Sequence, residues 1–202
     1  MKKKSPTFEL TQNNWFATPV WHGIIPNVDL FNFKQHILDI KKSDPNGVTK
    51  TNFGGWQSQT HKSNFGSLFG LMAPLKSALN LCKKELLGDY HKEPVMQDYW
   101  FNINEFGDYN TMHNHHNALL SGVFYIDVPD ENMGQLYFER DDHINYYIPE
   151  DVASYNHAVG TKIEYKPIAG NLVIFPSWLK HAVEGNRSKK SRMSMSFNCG
   201  FK

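Results

Sequence analysis

Three histidines, His113, His115 and His116, fall within four positions of the stretch GDYNTMHNHHNALLSGVFYIDV, Gly107 to Val128. Histidine is the commonest metal ligand among side chains. Alternating residues at a strand end point to the same side, so the rings of His113 and His115 can reach one ion. His116 then faces the other way and suits a second layer around the ion, or a position facing substrate. A lone H-x-H is weak by itself, because surface loops often carry adjacent histidines. A distant element strengthens it. PIAGNLVIFPSWLKHAVEGN reads as a strand, a tight turn at Pro176-Ser177, and then His181. In a jelly roll, a loop histidine after a late strand can face one at the end of an early strand, which makes His181 the third candidate ligand. Trp178, just before it, is a candidate for the cavity wall.

The last strand-like run, SRMSMSFNCGF, separates Arg192, Ser194, Ser196 and Asn198 on one face from Met193, Met195 and Phe197 on the other. An edge strand with its polar face in water would give that pattern. A binding wall would give it too, because Arg192 follows His181 by eleven residues and Ser194 comes two later. A guanidinium is a rigid fork suited to a carboxylate, and a neighbouring hydroxyl adds a further hydrogen bond. Such a pair in a barrel mouth would hold the far carboxylate of a dicarboxylic acid whose other end chelates the metal. Asn102 and Asn104 share one face of an earlier strand and either line the same cavity or face outward.

The elements that must position these groups change character along the chain. NVDLFNFKQHILDIKKSDP places Leu30, Phe33, His36, Ile37 and Ile40 near helical spacing, with Asp29 as N-cap and Asp44-Pro45 as the stop. PLKSALNLCKKELLGDY begins with Pro74, puts Leu75, Leu79, Cys82 and Leu86 on one face, and ends at Gly88. From about residue 94, short strand-like runs separated by turn residues argue for a sandwich or jelly roll. The expected organisation is one domain, 1–202. Residues 14–93 would form a helical support covering one sheet face, and residues 94–202 the β core. The long excursion Asp141–Gly160, with Tyr146, Tyr147 and His157, reads as a substrate-facing lid.

Composition narrows the classes. A chain of 202 residues with net charge +1 carries no electrostatic footprint for nucleic acid or an acidic membrane surface. No stretch is long and apolar enough to span a membrane, and no apolar core follows Lys2-Lys3-Lys4, so a cytoplasmic location is expected. Cys82 and Cys199 are expected to be reduced, buried thiols.

The constellation His113, His115, His181, Arg192 and Ser194 resembles the Fe(II)- and 2-oxoglutarate-dependent oxygenases, whose pattern is H-x-(D/E), a distant H and then R-x-S on a double-stranded β-helix. The spacing from Gly107 to His113 and the stretch FYIDVPDENMGQLYF resemble the prolyl-hydroxylase-like branch. WFATPVW, GWQS, LSGVFYIDVP, FPSWLKHAVEGN and SMSFN resemble a family of 2-oxoglutarate–Fe(II) oxygenases found in marine bacteria and their phages. The resemblance implies Fe(II), 2-oxoglutarate and O2, and hydroxylation of a C–H bond in a protein side chain or small molecule. It implies His113, His115 and His181 at the metal, and Arg192, Ser194 and Tyr125 at 2-oxoglutarate. It also implies a jelly roll buttressed by helices, whose helical face could serve a homodimer, in the host cytoplasm if phage-encoded.

One position departs from the pattern. The usual facial triad is two histidines and a carboxylate, but His115 stands where the acid is expected. Three arrangements are open: a neutral three-histidine triad, a two-histidine site with His115 turned away, or a carboxylate from Asp108 or Asp127. Two other functions also stand. A cupin-type metalloenzyme without 2-oxoglutarate fits Gly107 to His115, but no glutamate follows at cupin spacing and Arg192 goes unexplained. A metal-free jelly-roll binding module would leave the histidines solvated.

Overall fold

The computed structural model describes residue 11 and residues 16–62, 66–140 and 160–202. Of the expected lid, Asp141–Gly160, residues 141–159 with Tyr146, Tyr147 and His157 lie outside the described residues.

Helix α1 (Leu30–Ser43) starts where Asp29 accepts a hydrogen bond from the Asn32 backbone N–H, which satisfies one of the donors that a helix start leaves unpaired. It stops at Asp44, because the residue before a proline is driven out of the helical region. Helix α2 (Met72–Leu87) tolerates Pro74 in its first turn and closes on Gly88, whose φ of 62° suits glycine. Phe33 and Ile37 of α1 and Leu75, Leu79 and Cys82 of α2 are the buried stripes that the spacing predicts.

The N-terminal part is not only helical. β1 (Trp21–Ile24), β2 (Asn52–Phe53) and β3 (Trp56–Gln57) lie within it and join the sheets. The rest is β4 (Pro94–Asn104), β5 (Tyr109–His113), β6 (Leu120–Asp127), β7 (Leu136–Glu139), β8 (Lys162–Tyr165), β9 (Asn171–Pro176), β10 (His181–Val183) and β11 (Arg192–Phe201). One sheet runs β1-β9-β6-β11-β4-β3 and the other β2-β5-β10-β7-β8, and every pairing in both is antiparallel. From β4 onward successive strands alternate between the two sheets, except that β7 and β8 are neighbours in the smaller one. The strand ends that carry chemistry therefore come from both sheets.

β11 is a central strand, paired with β4 on one side and β6 on the other. The edge-strand reading of its polar face is overturned by those two partners; Arg192 and Ser194 are buried, and Ser196 and Asn198 half-buried. Met193, Met195, Phe197 and Cys199 pack against Phe33, Ile37, Leu75 and Leu79, so the helices cover the outer face of the larger sheet. Arg192, Ser194, Ser196 and Asn198 line a cavity between the two sheets. Phe138 on β7 meets Phe175 on β9 with ring centroids 4.9 Å apart, closing the sheets over the inner side. Cys82 and Cys199 are free and buried, and burial pushes both thiols up to about 12, so neither is a nucleophile at neutral pH. Among the described residues no helix is long and apolar enough to cross a membrane.

Candidate metal centre

β5 ends at His113, and β10 begins at His181, its direct cross-strand partner. The expectation of a loop position for His181 is corrected: it opens a strand and is hydrogen-bonded into the smaller sheet between β5 and β7. His115 lies just past β5, where its backbone N–H donates to the Ser177 carbonyl at 2.9 Å. That bond ties the H-x-H turn to the Pro176-Ser177 turn. One ring nitrogen from each of His113, His115 and His181 lies within 4.8 Å of the other two, a spacing that could hold a metal ion.

Each ring is oriented by a hydrogen bond at Nδ1. His113 Nδ1 sits 2.7 Å from the Thr111 carbonyl and His181 Nδ1 2.9 Å from the Leu179 carbonyl. His115 Nδ1 is 2.6 Å from Asn198 Oδ1 and 2.8 Å from Ser121 Oγ. An acceptor on Nδ1 fixes the N–H there and leaves Nε2 as a lone pair, the state a metal requires. Burial, with each ring disfavouring charge on its neighbours, pulls His115 down to about 4 and His181 to about 3, and burial lowers His113 too. At neutral pH the cluster is three uncharged imidazoles.

The larger sheet supplies the opposite wall in cross-strand rows. Asn104 faces Arg192; Asn102, Ser194 and Tyr125 form the next row; Trp100, Ser196 and Val123 follow; then come Asp98, Asn198 and Ser121. Arg192 is 2% exposed. Its Nη1 donates to the carbonyls of Met133 and Gly134 at 2.8 and 2.7 Å, and its Nη2 to Asn104 Oδ1 at 2.9 Å. These are neutral acceptors. Among the described residues no carboxylate pairs with the guanidinium, and its buried Nε–H has no acceptor. A buried charge left in that state is costly. Tyr125 and Ser194, both buried, line the cavity with it. The space between the sheets is about 290 Å³, at the lower end for small-molecule pockets.

The other expected residues divide. Asn102 and Asn104 line the cavity. His116 is exposed and Trp178 is 59% exposed; neither is on the wall, because the turns that carry them project outward. Asp108 accepts from the Glu105 backbone N–H in the turn after β4, and Asp127 pairs with Lys34 of α1 at 2.6 Å. Among the described residues neither belongs to the histidine cluster. Sequence reasoning missed Asp98, Trp100, Ser121 and Gln57. Asp98 and Trp100 continue the alternation of Asn102 and Asn104, and that periodicity was the available signal.

Residues 98–198, half of the chain and nearly the whole β core, match a family model described as "Putative 2OG-Fe(II) oxygenase". No curated protein matches the chain. The fold is similar to a Pseudomonas putida prolyl-4-hydroxylase, at 16% identity and TM-score 0.59 over 92% of each chain. It is also similar to a viral collagen prolyl hydroxylase of Paramecium Bursaria Chlorella virus-1, solved with 2OG (13% identity, TM-score 0.55, covering 88% of this chain and 94% of that one). A third relative in fold is HygX of Streptomyces hygroscopicus, solved with nickel, 2-oxoglutarate and hygromycin B (10% identity, TM-score 0.59, covering 91% and 83%).

Proposed function

The chain belongs to the 2OG-Fe(II) oxygenase family, enzymes that use Fe(II), 2-oxoglutarate and O2, and from that premise we propose how its own residues are assigned. His113, His115 and His181 hold the iron through Nε2 as a neutral triad. Arg192, with Ser194 and Tyr125, holds the far carboxylate of 2-oxoglutarate. Both sets fit their partners: one ring nitrogen from each of three histidines lies within 4.8 Å of the others, and a buried cation lacks a counter-charge in the same cavity among the described residues. The second observation carries the reading, because a structural arginine would be paired or solvated.

When bound, the iron and 2-oxoglutarate supply oxidative decarboxylation to succinate coupled to hydroxylation of a substrate C–H bond. The protein's work is positional. The carbonyls of Met133 and Gly134 and the amide oxygen of Asn104 accept from the Nη groups of Arg192 and hold the guanidinium in place, leaving its Nε–H as a donor without a partner. Tyr125 and Ser194 add hydroxyls beside it. Val123, Leu136, Phe175 and Val183 give the cavity apolar sides that exclude water. Three neutral imidazoles would bring no protein charge to offset that of the metal. We read the chain as a single domain with a double-stranded β-helix core, cytoplasmic, acting on a small molecule or a peptidyl side chain.

The test is an anaerobic titration with Fe(II) and then 2-oxoglutarate, followed in the visible spectrum. A metal-to-ligand charge-transfer band is expected only with both present, absent in His181→Ala and in His115→Ala. Arg192→Ala should weaken 2-oxoglutarate by roughly 30-fold or more, and Arg192→Lys should also weaken it, since an ammonium cannot form the fork. Metal binding without the band would point to a metalloenzyme that does not use 2-oxoglutarate. No metal binding would leave a binding module.

A further inference from the structure

Behind His115 lies a hydrogen-bonded row that neither iron nor 2-oxoglutarate binding accounts for. Asp98, Asn198 and Ser121 are direct cross-strand neighbours on β4, β11 and β6. Asn198 Nδ2 donates to Asp98 Oδ1 at 2.9 Å, and Asn198 Oδ1 lies 2.6 Å from His115 Nδ1. A carboxylate only accepts, so the Asp98 contact must use the amide nitrogen, which turns the amide oxygen toward the histidine. An amide oxygen also only accepts, so His115 must donate from Nδ1. Ser121 Oγ donates to the same amide oxygen at 2.9 Å, and Ser177 Oγ stands 2.8 Å behind it. His113 and His181 are oriented by backbone carbonyls instead. Of the three, His115 is the ring whose orientation depends on side chains, and it occupies the position where the facial triad has its carboxylate.

We propose that Asn198 and Asp98 are positioning residues for His115. They fix its Nδ1–H tautomer and bring a carboxylate's charge to bear, through two hydrogen bonds, on the ligand that replaces the acid. The proposal rests on the reading of His115 as an iron ligand. A charged partner behind a ligating imidazole makes its Nε2 more basic and holds its plane, so the relay returns part of the donor strength that the neutral triad lacks. Trp100, edge-on to His115 with ring centroids 5.7 Å apart, closes the remaining side of the ring.

Two measurements separate the relay from the iron reading. Long-range 1H–15N NMR on metal-free protein carrying 15N-histidine reads the tautomer itself. Wild type should show His115 protonated at Nδ1, and Asp98→Asn, which frees the amide to turn, should shift it toward Nε2. Titration with Co(II) alone, followed by visible absorption, reads the metal. Asp98→Asn and Asn198→Ala should weaken Co(II) by roughly 10–100-fold. The exchanged pair Asp98→Asn/Asn198→Asp, which sets a carboxylate directly against His115, should recover wild-type affinity or exceed it. Thermal unfolding confirms that each variant folds; if Asp98→Asn does not, the exchanged pair decides alone, and a loss beyond tenfold overturns the relay. A folded Asp98→Asn with wild-type tautomer and Co(II) affinity overturns it too. A wild type that binds no Co(II), with the tautomer still shifting in Asp98→Asn, overturns the iron reading and leaves the hydrogen-bonded row as what orients His115.

Discussion

At the scale of single residues, burial extends the neutral form of the site's histidines to a lower pH than water would allow. His115 and His181, lowered to about 4 and about 3, are kept neutral mainly by burial. His61, stacked on Tyr99 with its buried Nε2 unpartnered, and His113 are lowered for the same main reason. The sign follows from proton counting. Below the ordinary histidine value near 6.5 the unfolded chain takes up protons that the folded one refuses, so folding stability is full above that pH and falls as pH drops toward 4. For His115 and His181 the slope approaches about 1.4 kcal/mol per pH unit for each ring within that range. The thermal midpoint of the metal-free protein is therefore expected to fall steadily from pH 7 to pH 5, and His61→Phe should flatten the decline; calorimetry across that range checks both.

Among the elements, the connection between β6 and β7 matters most for the far end of the cavity. Gly134 has φ 76°, and a Cβ there would strike the Glu184 backbone carbonyl. Its own carbonyl accepts from Arg192. Gly134→Ala must therefore move the turn, and with it one of the acceptors that aim the guanidinium. The expected result is a loss of about 1–3 kcal/mol in stability together with weaker 2-oxoglutarate binding and unchanged Co(II) affinity. A binding split of that kind, read by calorimetry and by the two titrations, separates damage to the arginine end from damage to the metal end.

For the whole molecule, the helices and the site lie on opposite faces of one sheet. Phe33 is fully buried, with its ring 5.8 Å from Phe101 and 6.4 Å from Phe124 between centroids. Phe33→Ala should cost about 3–5 kcal/mol, which for a chain of this size is a drop of roughly 6–20 °C in melting temperature. The charge-transfer band of the folded fraction should persist, because the residues that face the cavity alternate with those that face Phe33. A variant that loses the band while still folded would show that the helical layer also tunes the site.

The sequence by itself determined the two helices, their buried stripes, the caps at Asp29, Asp44 and Gly88, the alternation of β11, and the close spacing of His113 with His115 and of Arg192 with Ser194. Each of these is local, set by a period of 3.6 or 2 or by a short motif. The tertiary structure alone decided that β11 is central, because edge and centre share one alternation and differ only in partners. It decided that His181 opens a strand, since three residues carry too little periodicity to be read. Among the described residues it brought His115, rather than Asp108 or Asp127, beside His113 and His181, because such groupings depend on distances between segments far apart in the chain. It also revealed Asp98 behind Asn198, a pairing of residues a hundred positions apart that only the register of β4 against β11 creates.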